Sequence, residues 1–167
     1  MSLLKSIQDG EGKTVEFKVE LPNSNTLAKT IIAFSNTGGG KLIIGVNDQG
    51  EIIGLEPDVN IFELKDKVAS IIYETCYPTV LPDIYTTTID DQLLLIIEVY
   101  RGNLLPYYLK NKGKNEGVYI RVGATNRKAS HENILELERQ RMNISFDQEA
   151  NREVELDSLD ISSLEGG

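Results

Sequence analysis

The stretch "SNTGGGKLIIGVNDQG" (residues 35–50) places three glycines and a lysine directly before an apolar run. A phosphate-binding loop of the Walker type needs Gly-Lys followed by Ser or Thr, and it runs from a strand into a helix. Here Lys41 is followed by Leu42, and helical spacing precedes the glycines. The same order of elements excludes the glycine-rich dinucleotide fingerprint. We therefore predict that Gly38 to Gly40 end a helix and that residues 41–47 form a strand.

The flanking segments extend this pattern in both directions. "TVEFKVEL" (14–21) alternates apolar and polar residues, which predicts a half-buried strand. "SNTLAKTIIAFSN" (24–36) has apolar residues at helical spacing, with Ser24 or Asn25 as the expected N-cap and Gly38 as the expected C-cap. The "DQG" before "EIIGL" (51–55) predicts a tight turn into an antiparallel partner strand.

The second half of the chain predicts two more helices and more strands. Residues 61–73 have helical spacing, and "DIYTTTID" with "QLLLIIEVY" predicts a hairpin whose second strand, apolar on both faces, is central. "GVYIRVG" predicts another strand, and Ser130 is the expected N-cap of a third helix. The expected fold class is α/β (α+β), a mixed, mostly antiparallel sheet with hairpins and about three helices.

Length and composition predict one soluble domain followed by a polar tail. We expect the domain over residues 1–146 and an acidic linker or tail over 147–167, which can lead to a further C-terminal domain. The sequence has no apolar run of about 18 residues and no signal-like start, so we expect a cytoplasmic protein without membrane contact. One cysteine and one histidine, Cys76 and His131, exclude an internal disulfide and a Cys/His zinc cluster.

Charge is distributed unevenly along the chain, whose net charge is −9. Residues 1–100 carry 7 Lys/Arg and 15 Asp/Glu, residues 101–146 carry 9 and 4, and residues 147–167 carry 1 and 7. A basic segment of net charge +5 therefore lies between two acidic ones. Such a segment is typical of phosphate binding, although its lysines can also simply solvate a loop.

Three segments carry a resemblance to a known family: "EGKTVEFK" (11–18), "AKTIIAFSNTGGGKLIIGVNDQGEIIG" (28–54) and "EGVYIRVGATNRKAS" (116–130). In this order they resemble the Schlafen/AlbA-like DNA-binding domain, which is found at the N-terminus of bacterial and archaeal transcriptional regulators. The resemblance covers most of residues 10–140. It implies a mixed α/β domain, a homodimer as the expected assembly, and further domains, such as a winged helix, in longer proteins.

Nuclease members of the Schlafen branch have two glutamates five residues apart and an aspartate after the Gly-Val strand. The resemblance places Glu11, Glu16 and Asp48 at these positions, as catalytic and metal-binding residues. Three converging carboxylates are hard oxygen ligands suited to Mg²⁺ or Mn²⁺, which can orient a water and a phosphodiester. In the alternative interpretation Glu16 faces outward from a strand, Asp48 starts a turn, and Glu11 lies in a flexible glycine-rich entry.

The basic segment favours binding without chemistry, for which no cofactor is expected. On a strand Arg121 points away from Ile120 and Val122, and Arg127 and Lys128 are expected in the turn before the helix at Ser130. The candidate nucleic-acid-binding residues are Lys18, Lys110, Lys112, Lys114, Arg121, Arg127 and Lys128.

Three nearby tyrosines, Tyr107, Tyr108 and Tyr119, are candidates for stacking on unpaired bases, although strand tyrosines are commonly half in the core. The leading hypothesis is a DNA- or RNA-binding module of a transcriptional regulator, which contacts the phosphate backbone and is not an enzyme. The alternative is a metal-dependent endonuclease of Schlafen type, and a third possibility is an assembly or nucleotide-sensing module.

Overall fold

The computed structural model describes the backbone of residues 2–166 and the side chains of residues 2–149. Over this range the helices are α1 (Leu3–Asp9), α2 (Ser24–Asn36), α3 (Ile61–Thr75), α4 (Gly113–Glu116) and α5 (His131–Gly166). The strands are β1 (Val15–Lys18), β2 (Gly40–Ile44), β3 (Cys76–Tyr77), β4 (Asp83–Ile89), β5 (Gln92–Val99), β6 (Tyr108–Leu109), β7 (Tyr119–Val122) and β8 (Thr125–Lys128). The α+β class is confirmed, and the three predicted helices are α2, α3 and α5. The short helices α1 and α4 were not predicted.

The main sheet has four strands in the order β1-β2-β5-β4. β1 and β2 run parallel, whereas β2–β5 and β4–β5 are antiparallel, so the predicted mixed, mostly antiparallel sheet is confirmed. β5 lies between two strands, as its apolar sequence predicts. One sheet face packs Leu42 and Leu95 against the helix α2, and the other packs Ile43 and Leu94 with Ile7 of α1. The sheet is therefore buried on both faces.

Helix α2 occupies the centre of the larger core. Its N-cap is Asn23, one residue before the expected Ser24, because the Asn23 side chain accepts a hydrogen bond from the Thr26 N–H at 2.8 Å. From Leu27 to Asn36 the helix is buried except at Lys29, since the sheet covers one side and α3 and β7 contact the other. Burial of this kind explains why the segment is apolar over most of its circumference.

The glycines after α2 reverse the chain, as predicted. The C-cap of α2 is Thr37 instead of the expected Gly38, and the left-handed residue is Gly39, with φ of 74°. The Gly39 N–H donates to the Phe34 carbonyl at 2.9 Å, which closes the helix, and β2 begins at Gly40. β2 is shorter than predicted because Gly45, with φ of 110°, ends it after Ile44.

The predicted hairpin over residues 41–55 is wrong in its second strand. Only a single antiparallel bridge joins Val46 to Ile52, and the chain around it is a turn. Asn47 closes this turn, since its side-chain oxygen accepts hydrogen bonds from the Gln49 and Glu51 N–H groups. β2 takes β1 and β5 as its partners instead. The predicted hairpin of residues 83–99 is confirmed as β4–β5.

The C-terminal part of the domain begins with the hairpin β7–β8. Arg127 and Lys128, expected in a turn, lie on β8 opposite Ile120 and Tyr119. Ser130 caps α5 as predicted, with Asn133 in the reciprocal position of a capping box: each side-chain oxygen accepts from the other residue's N–H, at 3.0 and 3.1 Å.

Helix α5 runs through the domain boundary that we predicted after residue 146. The division into residues 1–146 and an acidic linker or tail over 147–167 stays a prediction, because the side chains from residue 150 onward lie outside the described residues. Within the described range, no helix is long and apolar enough to cross a membrane.

The glycine turn provides a matched pair of substitutions. In Gly39→Ala the new Cβ would lie 2.6 Å from the Val99 carbonyl oxygen on a backbone of positive φ, whereas a Cβ at Gly38 meets nothing within 4 Å. We expect Gly39→Ala to lower the free energy of unfolding by more than about 1 kcal/mol. Gly38→Ala should change it by less than about 0.5 kcal/mol. Urea denaturation measures both, and equal effects would contradict the assignment of the turn.

Candidate nucleic-acid interface

A buried ion pair joins the hairpin β7–β8 to the main sheet. Nη1 of Arg121 on β7 lies 2.6 Å from Oε1 of Glu16 on β1, and the Arg121 side chain is fully buried. The same guanidinium donates to the Gly12 and Val15 carbonyls at 2.9–3.1 Å, and its Cζ lies 5.0 Å from the centroid of the Phe34 ring. Arg121, predicted as a phosphate contact, is thus placed inside the domain, with its donors directed at protein acceptors.

Two more polar side chains complete this network. Oε2 of Glu16 accepts from the Thr30 hydroxyl at 3.0 Å, and the Asn126 amide donates to the Thr30 oxygen at 2.9 Å. Nη1 of Arg121 also donates to the Asn126 Oδ1 at 2.8 Å. Strand alternation predicted that the Arg121 side chain points to the face of β7 opposite to Ile120 and Val122. It did not predict that this other face packs on α2 and β1.

The three predicted metal ligands are not brought together. Both Glu16 oxygens serve the Arg121 network, Glu11 accepts from the Phe17 N–H at 3.1 Å, and Asp48 is exposed in the turn after β2. Across the described residues, no group of three or more His, Cys, Asp or Glu side chains is placed to hold a metal ion. Lys18, at the end of β1, is half-buried.

The remaining predicted cations are all exposed, and three of them, Lys112, Lys114 and Lys128, surround helix α4. We call these three the lysine cluster. Lys128 forms an ion pair with Glu116, and Lys112 adds its positive charge to the environment of that carboxylate. The hydrogen bond from Lys128 lowers the pKa of Glu116, and the same bond raises the pKa of Lys128. Exposed pairs of this kind contribute little to stability and exchange partners readily.

Lys110 and Arg127 are the other two exposed cations of the predicted set. The Lys110 amine donates to the Tyr73 carbonyl at 3.0 Å and stands over the Tyr73 ring. Arg127 alternates away from Asn126 on β8, and its Nε donates to the Thr125 hydroxyl at 3.3 Å. Both cations remain exposed, so they can join an extended phosphate contact.

An aromatic groove adjoins the lysine cluster, with a volume of about 260 Å³. We call it the tyrosine groove, and its aromatic and cationic side chains are Tyr77, Tyr108, Lys114 and Arg141. The Tyr77 and Tyr108 rings lie 5.5 Å apart at an interplanar angle of 48°. Lys114 belongs to the groove and to the cluster, and its ion pair with Glu138 of α5 spans the groove wall.

The tyrosines differ from their predicted roles. Tyr108 is half-buried in the groove, as a stacking residue would be, but Tyr107 is buried and Tyr119 lies beneath the Lys29 amine. Sequence reasoning missed Tyr77 and Arg141, because they enter the groove from β3 and α5, far from the basic segment in the chain. In the sequence, Tyr77 is marked only by its position before Pro78, and Arg141 only as a cation on a predicted helix.

Comparison with known proteins gives a family and a fold. The family model described as "Schlafen, AlbA_2" matches residues 11–130. The DIP2311 protein from Corynebacterium diphtheriae is similar in structure, with a TM-score of 0.55 and 24% identity over 76% of this chain and 24% of that chain. The N-terminal domain of a RecG-related protein from Nitrosomonas europaea has a TM-score of 0.54 and 23% identity, over 77% of this chain and 91% of that chain. No curated protein is significantly similar in sequence.

The buried ion pair predicts a large difference between two arginines of one hairpin. Arg121→Met leaves the Glu16 carboxylate buried without its cation, so we expect the free energy of unfolding to fall by about 3–5 kcal/mol. Arg127→Met, an exposed control on the facing strand, should change it by less than about 0.5 kcal/mol.

The double variant Arg121→Met/Glu16→Gln removes both charges and should recover part of the loss. Urea denaturation of the three variants measures these differences. Equal stability of Arg121→Met and Arg127→Met would show that the ion pair does not hold the hairpin.

Proposed function

The chain belongs to the Schlafen AlbA_2 family, and on this basis we propose that it is a nucleic-acid-binding module that contacts the phosphate backbone. The observation that carries the proposal is the contiguity of the lysine cluster and the tyrosine groove, which share Lys114. Cations beside exposed aromatic rings are the combination that binds single-stranded nucleic acid, since phosphates and bases are contacted together.

We propose that the module serves a transcriptional regulator and acts as a homodimer, as the sequence resemblance implies. The RecG-related protein from Nitrosomonas europaea is described as an ATP-dependent DNA helicase relative, and its similar N-terminal domain supports a nucleic-acid partner. The matched region spans about a quarter of the DIP2311 chain, so a module of this fold also occurs within a longer protein.

Phosphate binding at the lysine cluster requires phosphate oxygens to replace the carboxylates that pair with Lys114 and Lys128. Lys114 and Lys128 pair with Glu138 and Glu116 in the free domain, and all four side chains are substantially exposed. A phosphate oxygen can replace an exposed carboxylate at little cost, because the original pair was solvated. Lys112 forms no ion pair among the described residues and is available at once.

The tyrosine groove is the basis for a proposed preference for single-stranded nucleic acid over duplexes. Tyr77 is 50% exposed, so a base can reach its ring without rearrangement of the core. Arg141 lines the same groove and can contact the phosphate of the stacked nucleotide. A duplex keeps its bases stacked inside and offers only its phosphates, so it would use the lysine cluster alone.

Binding through phosphates predicts a specific change in salt dependence. The triple variant Lys112→Gln/Lys114→Gln/Lys128→Gln should weaken binding of single-stranded DNA and RNA about equally across sequences. It should also reduce the slope of log K against log salt by about 0.7 per lost contact. The matched control Lys5→Gln/Lys65→Gln/Lys67→Gln removes the same charge from the N-terminal half and should keep the slope.

Fluorescence anisotropy at several salt concentrations measures both variants. Equal slopes in the two would overturn the lysine cluster as the site. Cleavage of the oligonucleotide on addition of Mn²⁺ would instead favour the endonuclease alternative.

Stacking predicts a difference between strands and duplexes. Tyr77→Leu keeps an apolar side chain but removes the ring, and we expect it to weaken single-strand binding by about 1–3 kcal/mol. Duplex binding should stay within experimental error, because paired bases do not reach the groove. Phe62→Leu, which removes an exposed ring on α3 outside the groove, is the control. An equal loss with both nucleic acids would contradict the role of the groove.

A further inference from the structure

Two clefts flank the glycine turn after α2, away from the lysine cluster and the tyrosine groove. The Asn133 cleft, of about 370 Å³, is lined by Lys13, Gly38, Arg101, Ile120, Asn133 and Leu137, among others. The Lys41 cleft, of about 310 Å³, contains Lys41 and Thr14 and shares Gly38 and Arg101 with its neighbour. Each volume is within the range of small-molecule sites, and the shared residues make the two clefts adjoin.

The shared glycine is open to both clefts. A Cβ at Gly38 would meet nothing within 4 Å, whereas at Gly39 and Gly40 it would lie 2.6 Å from the Val99 oxygen and the Phe34 ring. The last two glycines are therefore required by the fold. Neither packing nor a positive φ requires a glycine at position 38. Its bare backbone leaves room for a ligand to approach the main chain closely.

Three cations converge on this open backbone. Lys13, Lys41 and Arg101 form no ion pair among the described residues. The Lys41 N–H donates to the Thr14 carbonyl at 2.9 Å, which fixes the segment that carries Lys13 beside β2. Arg101 is oriented by the Gln140 side chain, to which its Nη2 donates. Glu98 lies directly opposite Lys41 in the β2–β5 pair, so a ligand would share Lys41 with this carboxylate. Cations on three separate segments favour an anion with several oxygens.

The acids at the clefts already have partners. Glu136, in the Asn133 cleft, pairs with Arg139 and accepts from the Gln140 amide at 3.1 Å. Glu98, in the Lys41 cleft, accepts from the Tyr85 hydroxyl at 2.9 Å. Both carboxylates thus accept hydrogen bonds from neighbouring side chains, and the two clefts together contain three cations and two acids.

The far end of the Asn133 cleft has a different chemistry. Ile120 and Leu137 provide an apolar wall. Asn133 stands beside this wall with its oxygen bound to the Ser130 N–H, which leaves its amide NH₂ for a ligand. An apolar wall with one oriented amide suits a flat heteroaromatic ring, such as a nucleobase, better than it suits a second phosphate.

We propose that the two clefts together bind a nucleotide. Its phosphates lie over Gly38 between Lys13, Lys41 and Arg101, and its base lies against Ile120 and Leu137 with Asn133 on its edge. The nucleotide is either free or the phosphorylated end of a nucleic-acid strand, since both present the same groups. No Walker loop takes part, because the cations come from the segment before β1, from β2 and from the segment after β5.

Calorimetric titration of the purified chain with ATP, GTP, CTP and UTP tests this site. At least one nucleotide should bind at least about tenfold more tightly than its nucleoside and than inorganic triphosphate, because both halves of the site contribute. No saturable binding of any of the four below about 1 mM would overturn the proposal. So would inorganic triphosphate that binds as tightly as the nucleotide.

Substitutions in the two clefts test whether the nucleotide binds there. Lys13→Gln/Arg101→Gln should weaken it at least about tenfold, and Gly38→Leu should abolish it by filling both clefts, while urea denaturation verifies the fold. The surface control Lys67→Gln should bind as the parent chain does. Unchanged affinity in a folded Gly38→Leu variant would overturn the site.

Two further titrations separate this proposal from the nucleic-acid surface. The Lys112→Gln/Lys114→Gln/Lys128→Gln variant should keep full nucleotide affinity, and a loss there would place the nucleotide at the lysine cluster and overturn the cleft. A short oligonucleotide with a 5′-phosphate that competes with the nucleotide, when its 5′-hydroxyl form does not, would identify strand ends as the source. Competition by neither form would identify the free nucleotide, and each result supports the site.

Discussion

The buried ion pair between Glu16 and Arg121 is the interaction on which the arrangement of the domain depends. The two residues lie 105 positions apart in sequence, and their contact joins the first strand of the sheet to a hairpin outside it. A buried pair is stabilising only when every donor and acceptor around it is matched. Among the described residues no buried side-chain nitrogen or oxygen lacks a partner, so this condition is met.

This constraint also determines where the functional side chains lie. Asn126 must face Arg121 to complete the network, so strand alternation turns its neighbour Arg127 to the opposite face of β8. Because the hairpin is held in this position, Lys128 lies next to Glu116 and Ile120 lines the Asn133 cleft. Lys128 of the lysine cluster and Ile120 of the Asn133 cleft are thus positioned by one internal charge pair that neither surface contains.

Local sequence patterns predicted the elements but not their long-range partners. Helix α2, the glycine turn and the β4–β5 hairpin followed from periodicity and turn chemistry, since both act within a few residues. The predicted second strand at residues 51–55 did not form, because both edges of β2 pair with other strands, β1 and β5. At the candidate site, the charge distribution predicted the exposed lysines. Arg121 was predicted as a phosphate contact and Glu16 as a metal ligand, although the two form an ion pair inside the domain. An isolated charge on a strand has the same local pattern whether it faces solvent or a distant counter-ion.

The acidic composition is compatible with a nucleic-acid partner because charge acts over short distances in salt. At physiological ionic strength the screening length is about 8 Å, so a phosphate senses the cations beside it more than the net charge of −9. Under the proposed function, acids that lie beyond this distance have little effect on a phosphate held by the lysine cluster. A phosphate that binds Lys114 or Lys128 would have to displace Glu138 or Glu116, whereas Lys112 forms no ion pair among the described residues. The proposed binding at one patch of cations would therefore favour a short contact over continuous coverage of the domain.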